Sequence, residues 1–192
     1  MTYASLEDIA SEIIACTKCD LFKGRKNAVP GEGNPGAKLV IVGEAPGRNE
    51  DTMGRPFVGN AGKFLDRYLS LAGINRNDVF ITNAVKCRPP NNRKPTPFEI
   101  EQCRPYLIYQ LKLINPRLVL ALGVSASSSL GMKFSHLDEI RGKIFDIKLD
   151  SLDISVYPTY HPSFPMRFPS KREAFLGDLK QVREILGKEI KS

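Results

Sequence analysis

Leu39-Val40-Ile41-Val42-Gly43 is the stretch on which the fold turns. It is a short unbroken apolar run that stops at a glycine. With no polar residue at alternate positions, such a run suits a strand covered on both faces, as in a parallel sheet. The pattern recurs at Val79-Phe80-Ile81-Thr82, which ends at Asn83, and at Leu118-Val119-Leu120-Ala121-Leu122, closed by Gly123. Helical patterns lie between. Phe64, Leu65, Tyr68, Leu69 and Leu71 make the apolar side of a helix that Gly73 ends. A long helix is predicted from about Pro97 to Ile114, despite Pro105. Upstream, Leu6, Ile9, Ile13 and Ile14 recur at helical spacing in a first helix ending near Cys16, and residues 20–37 read as loop. Downstream, a short helix runs to about Leu130. Residues 142–148 and 153–158 suit a hairpin or an added edge, Val156 and Tyr157 lead into a last strand, and Glu173 to Leu186 form a charged amphipathic helix.

Strands alternating with helices predict the α/β class, a three-layer α/β/α sandwich on a parallel sheet. Right-handed crossovers put the strand-to-helix loops on one edge, at the carboxyl ends of the strands, where open α/β sheets bind ligands. The loops on that edge are Gly43–Asn60, Asn83–Pro97 and Tyr160–Pro169. No internal repeat, low-complexity tract or linker interrupts the 192 residues, so a single domain spanning 1–192 is expected.

Composition narrows the partners. A formal charge of +7 favours an acidic one, nucleic acid being the commonest, although a generic basic surface explains it as well. No apolar run approaches the roughly 20 residues of a membrane span. The acidic stretch from Met1 to Ile14 does not read as a signal peptide, so a cytoplasmic protein is expected. In a reducing compartment its four cysteines are not expected to form two disulfides.

Those cysteines fall as Cys16-x-x-Cys19 and, far downstream, Cys87 and Cys103. Four thiolates can close a zinc site or hold an iron–sulfur cluster, and spacing does not choose between them. Gly43-Glu44-Ala45-Pro46-Gly47-Arg48-Asn49-Glu50 follows the first strand. Such a small-residue turn lets a ligand approach the backbone, and it also suits an ordinary tight turn. Asn83 carries both a donor and an acceptor and can pair with an imide-like base edge, but taken singly it reads first as a turn cap. His161, in Tyr160-His161-Pro162-Ser163, is one of two histidines and lies where it can donate to a developing anion; His136 is read as structural. The basic residues Lys86, Arg88, Arg93 and Lys94, with Arg167, Lys171 and Arg172, flank the same edge and can meet phosphates.

Several motifs then occur in order: Gly43-Glu44-Ala45-Pro46-Gly47, Gly54-Arg55-Pro56-Phe57-Val58-Gly59, Thr82-Asn83-x-x-Lys86-Cys87-Arg88-Pro89-Pro90, Asn92-Arg93-Lys94-Pro95-Thr96 and His161-Pro162-Ser163. Together they resemble the family 4 uracil-DNA glycosylases, thermostable bacterial and archaeal enzymes, over nearly the whole chain. The resemblance implies a central four-stranded parallel sheet and a structural [4Fe–4S] cluster on Cys16, Cys19, Cys87 and Cys103. It implies a uracil pocket of Glu44, Ala45, Pro46, the stacking ring Phe57, the base-edge reader Asn83, and His161 beside uracil O2, with Glu50 crowding C5. The implied activity is monofunctional hydrolysis of the N-glycosidic bond of a flipped deoxyuridine, in base excision repair.

His161 and backbone N–H groups around residues 45–46 would stabilise the leaving anion. Glu44 or Glu50 would activate water, because Ala45 stands where a better-known glycosylase family has aspartate. Phe164, Met166 or Arg167 would fill the gap left by the flipped base. The expected substrate is uracil-containing DNA, single- or double-stranded, acted on by a monomer; an interaction with a sliding clamp is left open. Two alternatives stand beside this reading. One is a family 5-type glycosylase of broader specificity, which differs at Glu44. The other is a non-enzymatic iron–sulfur or zinc module that binds nucleic acid.

Overall fold

The computed structural model describes residues 3–187. Its helices and strands, in chain order, are α1 (Leu6–Ala15), α2 (Leu21–Gly24), β1 (Glu32–Gly33), β2 (Leu39–Gly43), α3 (Arg48–Met53), α4 (Asn60–Leu71), β3 (Phe80–Asn83), α5 (Pro97–Ile114), β4 (Leu118–Leu122), α6 (Val124–Ser129), α7 (Leu137–Ile140), β5 (Phe145–Leu149), β6 (Leu152–Thr159), α8 (Ser163–Arg167) and α9 (Arg172–Gly187). Residues 1, 2 and 188–192 of the expected domain lie outside the described ones.

The sheet runs β1-β3-β2-β4-β6-β5. Its inner four strands are parallel, as the unbroken apolar runs require, and every residue of β2, β3 and β4 is buried. Leu39 and Ile41 point to one face, where α4 and α9 supply Leu65, Leu69, Phe175 and Leu179. Val40 and Val42 point to the other, against Leu107 and Leu111 of α5 and Ala126 of α6. The period-two alternation of a strand thus feeds two cores, one on each side of the sheet.

The strand count differs from the expected four. An antiparallel strand is added at each edge: β5 pairs with β6 as a hairpin, and the two-residue β1 pairs with β3. The stretch expected to be loop, residues 20–37, therefore contributes both β1 and the short helix α2. Two residues give no readable alternation, so β1 carries no periodic signal.

Helix ends follow local chemistry. Ser5 and Asp8 form a capping box on α1, and Thr96 and Glu99 form one on α5, with Pro97 in the first turn, where its missing N–H costs nothing. Pro105 sits on the solvent side of α5, and the helix continues through it to Asn115, whose left-handed conformation (φ 49°) ends it.

β2 sends its chain toward β3, whereas β4 sends its chain toward β6, so the strand order reverses between β2 and β4. A crevice opens at the carboxyl ends of the strands at such a switch point.

Candidate active site

A cleft of about 750 Å³ occupies that edge, within the range of small-molecule sites. The loop after β2 contributes Glu44 to Gly47, the end of β3 contributes Asn83, and the turn after β6 contributes His161.

The floor is built on a close approach. In-register pairing of β2 and β3 sets Gly43 opposite Asn83. A methyl group on Gly43 would lie 2.4 Å from Asn83 Oδ1 and 2.6 Å from the Phe57 ring. Only glycine lets the carboxamide and the aromatic face share this space. Phe57 is held in the left-handed region (φ 51°), its carbonyl accepting from Arg76 at 3.3 Å, and α4 packs so close that a Cβ on Gly62 would stand 1.8 Å from that carbonyl oxygen. The Phe57 and His161 rings lie 5.9 Å apart. Asn83 is 2 % exposed, and its Oδ1 has no hydrogen-bond partner among the described residues. A buried acceptor left open at the floor of a cleft is the signature of a ligand-reading group.

Glu44 and Glu50 line the cleft but are held differently. Ser125 of α6 donates to Glu44 Oε2 at 2.5 Å, tying the loop after β2 to the helix that follows β4 across the switch point. Glu50 accepts from the main-chain N–H of Val58 (2.9 Å) and Gly59 (2.7 Å) on Oε1 and of Gly47 (3.1 Å) on Oε2. Its carboxylate fastens α3 to the Phe57 loop. Pro46 has no N–H and Gly47 spends its own on Glu50, so of the expected donors around 45–46 only Ala45 can serve.

His161 Nδ1 accepts from the Ser163 main-chain N–H at 3.2 Å, with Ser163 Oγ at 2.8 Å. The neutral ring therefore carries its proton on Nε2, as a donor. Burial pushes His161 below the usual imidazole range, and Glu44 and Glu50 only partly oppose this. Gly123 (φ +88°) leaves room for the ring's approach, since a Cβ there would lie 3.1 Å from His161 Cβ.

Of the residues expected to meet phosphates, Lys94 and Arg167 are exposed along the cleft and Arg88 bonds Asn92 Oδ1 at 2.7 Å. Arg93 spends its guanidinium on a bidentate pair with Glu99 at 2.9 and 2.6 Å. Lys86 requires correction. It is 1 % exposed, and its ammonium donates to Thr82 Oγ1 (2.5 Å), Asn83 O (2.9 Å) and Gln110 Oε1 (2.8 Å). All three contacts lie inside the fold and burial pulls the Lys86 pKa down to about 7, so Lys86 braces the strand end that carries Asn83 and presents no exposed cation to a phosphate. Among the suggested gap-fillers, Phe164 and Arg167 line the cleft, whereas Met166 does not. His136, read as structural, borders the cleft at the start of α7.

Cys16, Cys19, Cys87 and Cys103 surround one small cavity directly behind the first loop, where Ala45 packs against Leu21, Val85, Cys87 and Cys103. Burial raises the thiols of Cys19, Cys87 and Cys103, the last to about 12. Arg25 donates to Cys87 Sγ at 3.1 Å and also to the Ile14 carbonyl at the end of α1. The four thiols share the lining of this cavity, and among the described residues no group of three or more His, Cys, Asp or Glu stands close enough to hold a single metal ion.

The sequence profile described as "Uracil DNA glycosylase superfamily" matches residues 30–183. A type-4 uracil-DNA glycosylase of Archaeoglobus fulgidus is 44 % identical over 96 % of this chain and 95 % of its own length. One from Sulfurisphaera tokodaii is 47 % identical over 94 % of this chain and 84 % of its own. A type-5 enzyme from Pyrobaculum aerophilum is 29 % identical over 82 % of each chain. The chain belongs to the uracil-DNA glycosylase superfamily, on its type-4 branch.

Two expectations follow from this geometry. Gly43→Ala should fold yet lose most glycosylase activity, by a hundredfold or so, because the added methyl displaces Asn83 or Phe57; matching thermal melts and single-turnover rates check it. For His161, folding lowers the pKa, so the unfolded chain takes the proton first, and the residue's contribution to stability is lost as pH falls below about 6.5. Two-dimensional ¹⁵N imidazole spectra should show a neutral Nε2–H ring at pH 6.5; a ring already half protonated there would contradict the assignment.

Proposed function

We infer that the protein releases uracil from DNA by hydrolysing the N-glycosidic bond of a flipped-out deoxyuridine, the first step of base excision repair. The observation that carries this reading is the open, buried Asn83 Oδ1, set beside the Phe57 ring and across the cleft from His161. A base inside a duplex is out of reach, and extruding it costs roughly a few kcal/mol. Stacking on Phe57 offsets on the order of 1–3 kcal/mol of that. Asn83 Oδ1 then accepts from uracil N3–H while its amide donates to O4. Cytosine presents the opposite pattern and is rejected by unpaired polar groups.

Bond cleavage leaves negative charge on the base and an oxocarbenium-like sugar. His161, fixed as an Nε2–H donor by Ser163, stabilises the charge at O2, joined by the Ala45 N–H. A preorganised donor of this kind is worth about 3–4 kcal/mol in other enzymes. The DNA's phosphates stabilise the sugar cation. Water activation falls to Glu44 rather than Glu50, because both Glu50 oxygens are engaged by main-chain N–H groups, whereas Ser125 holds one oxygen of Glu44. The rigidly held Glu50 serves to crowd the C5 position, excluding thymine. Lys94 and Arg167 bind backbone phosphate, with lesser parts for Arg88 and Arg93. Phe164 or Arg167 occupies the gap left by the base.

Cys16, Cys19, Cys87 and Cys103 would hold a [4Fe–4S] cluster in a structural role, cross-linking the end of α1, the loop after β3 and α5 behind the pocket. The protein is proposed to act as a single-domain monomer in the cytoplasm, where thiolate sites persist. Among the described residues no helix is long and apolar enough to cross a membrane.

The test is incubation with a uracil-containing oligonucleotide followed by alkali. Scission is expected at uracil and not at thymine or cytosine, and Asn83→Ala should lose most of it while keeping the wild-type melting profile. Strong activity on hypoxanthine or ethenocytosine would instead favour the type-5 reading. For the cofactor, purified protein should be brown and contain about four irons; colourless protein with one zinc would overturn the cluster.

A further inference from the structure

Beside the main cleft lies a second groove of about 430 Å³, which shares Lys94 and Val124 with it. Its cation is Arg104, on α5. The Nε of Arg104 is buried without a partner, and no ion pair or hydrogen bond to its guanidinium is found among the described residues. Its tip lies beside the turn that ends α6, where a Cβ on Gly131, itself left-handed at φ +84°, would lie 3.0 Å from Nη2. Arginine stays charged in any protein environment. A buried Nε–H with no acceptor is unfavourable, and an arriving anion would supply one. Glu101 lies on the same groove as the one carboxylate among its described lining residues, opposed by Lys94 and Arg104, so the balance there is positive. The rest of the wall mixes the apolar Pro95, Pro97, Ile100 and the 44 % exposed Val124 with Ser125 and Ser128. A cation beside a partly apolar wall suits a nucleotide, with phosphate on the guanidinium and sugar or base on the wall.

We propose that the Arg104 groove is a phosphodiester subsite for the DNA strand carrying the uracil, continuous with the base pocket and displaced from it by one or more nucleotides. This rests on the glycosylase reading above. The groove adjoins the cleft through Lys94 and Val124, and its wall includes Ser125, the residue that also holds Glu44. A strand seated there crosses the switch point between β2 and β4 while its flipped base enters beside Asn83.

The experiment measures binding of the full-length, metal-loaded protein to a single-stranded oligonucleotide with one uracil analogue that resists cleavage, across a salt series. Arg104→Gln and Arg104→Ala should each weaken binding about tenfold at low salt and flatten the slope of log K against log salt by roughly 0.7, the value for one phosphate contact. Affinity for free uracil, which has no phosphate, should stay at the wild-type value. A scan of neutral methylphosphonate linkages should find one position that weakens wild-type binding but adds nothing to the Arg104 variants. Variants with wild-type affinity and slope, or penalties that are the same in both proteins at every position, would overturn the subsite while leaving the glycosylase reading intact. Wild-type protein that releases no uracil would remove both. Should neither variant fold, the scan on wild-type protein decides: no position with a penalty above its neighbours rejects the subsite.

Discussion

The pocket depends on one close approach, the meeting of Asn83 and Phe57 over the bare Cα of Gly43. The pairing register of β2 and β3 brings Gly43 and Asn83 side by side, and the left-handed backbone at Phe57 turns its ring into the same space. Any side chain at 43 would push the carboxamide and the ring apart. Base reading by hydrogen bonds and base holding by stacking must act on the same flat molecule, so their separation has to be set by rigid elements rather than by flexible loops.

Much of the surrounding structure serves to keep that geometry. Glu50 spends both oxygens on the N–H groups of α3 and the Phe57 loop. Arg76 holds the carbonyls of Pro56 and Phe57. Lys86 closes its three donors on Thr82, Asn83 and Gln110. The cysteine cavity stands directly behind, with Lys86 in its own lining and the cleft residue Ala45 packed against Cys87 and Cys103. A metal group there would brace segments far apart in sequence, which a pocket made of loops needs more than a pocket made of strands.

Charge is divided by depth. Buried polar and acidic groups pair inward: Lys86 with strand and helix groups, Glu99 with the exposed Arg93, and Asp178 with the half-buried Arg141. Exposed cations such as Lys94 and Arg167 face the cleft. The net positive charge of the chain is therefore a poor guide to any one residue. What decides whether a lysine meets phosphate is whether its ammonium already has acceptors.

The parallel core, the helices that cover it and the edge where the loops gather were legible in the residue pattern, because strands buried on both faces must be apolar throughout and helices covering them must be amphipathic. The ordered motifs pointed to Glu44, Phe57, Asn83 and His161, and the structure brings all four to one cleft. The added antiparallel edges were not all legible: the hairpin edge of β5 and β6 was, but β1 is too short to show a period. Nor was the fate of Lys86, whose motif position looked like a DNA contact until folding buried it. Ser125, Arg25 and Arg104 bore no local signal, since a serine or arginine reads alike in sequence whether it faces solvent, a carboxylate, a thiol or a groove. Local pattern decides which face of an element is covered, because that depends only on periodicity. Which polar atoms find partners depends on distances between segments far apart in the chain, and only the packed tertiary structure sets those.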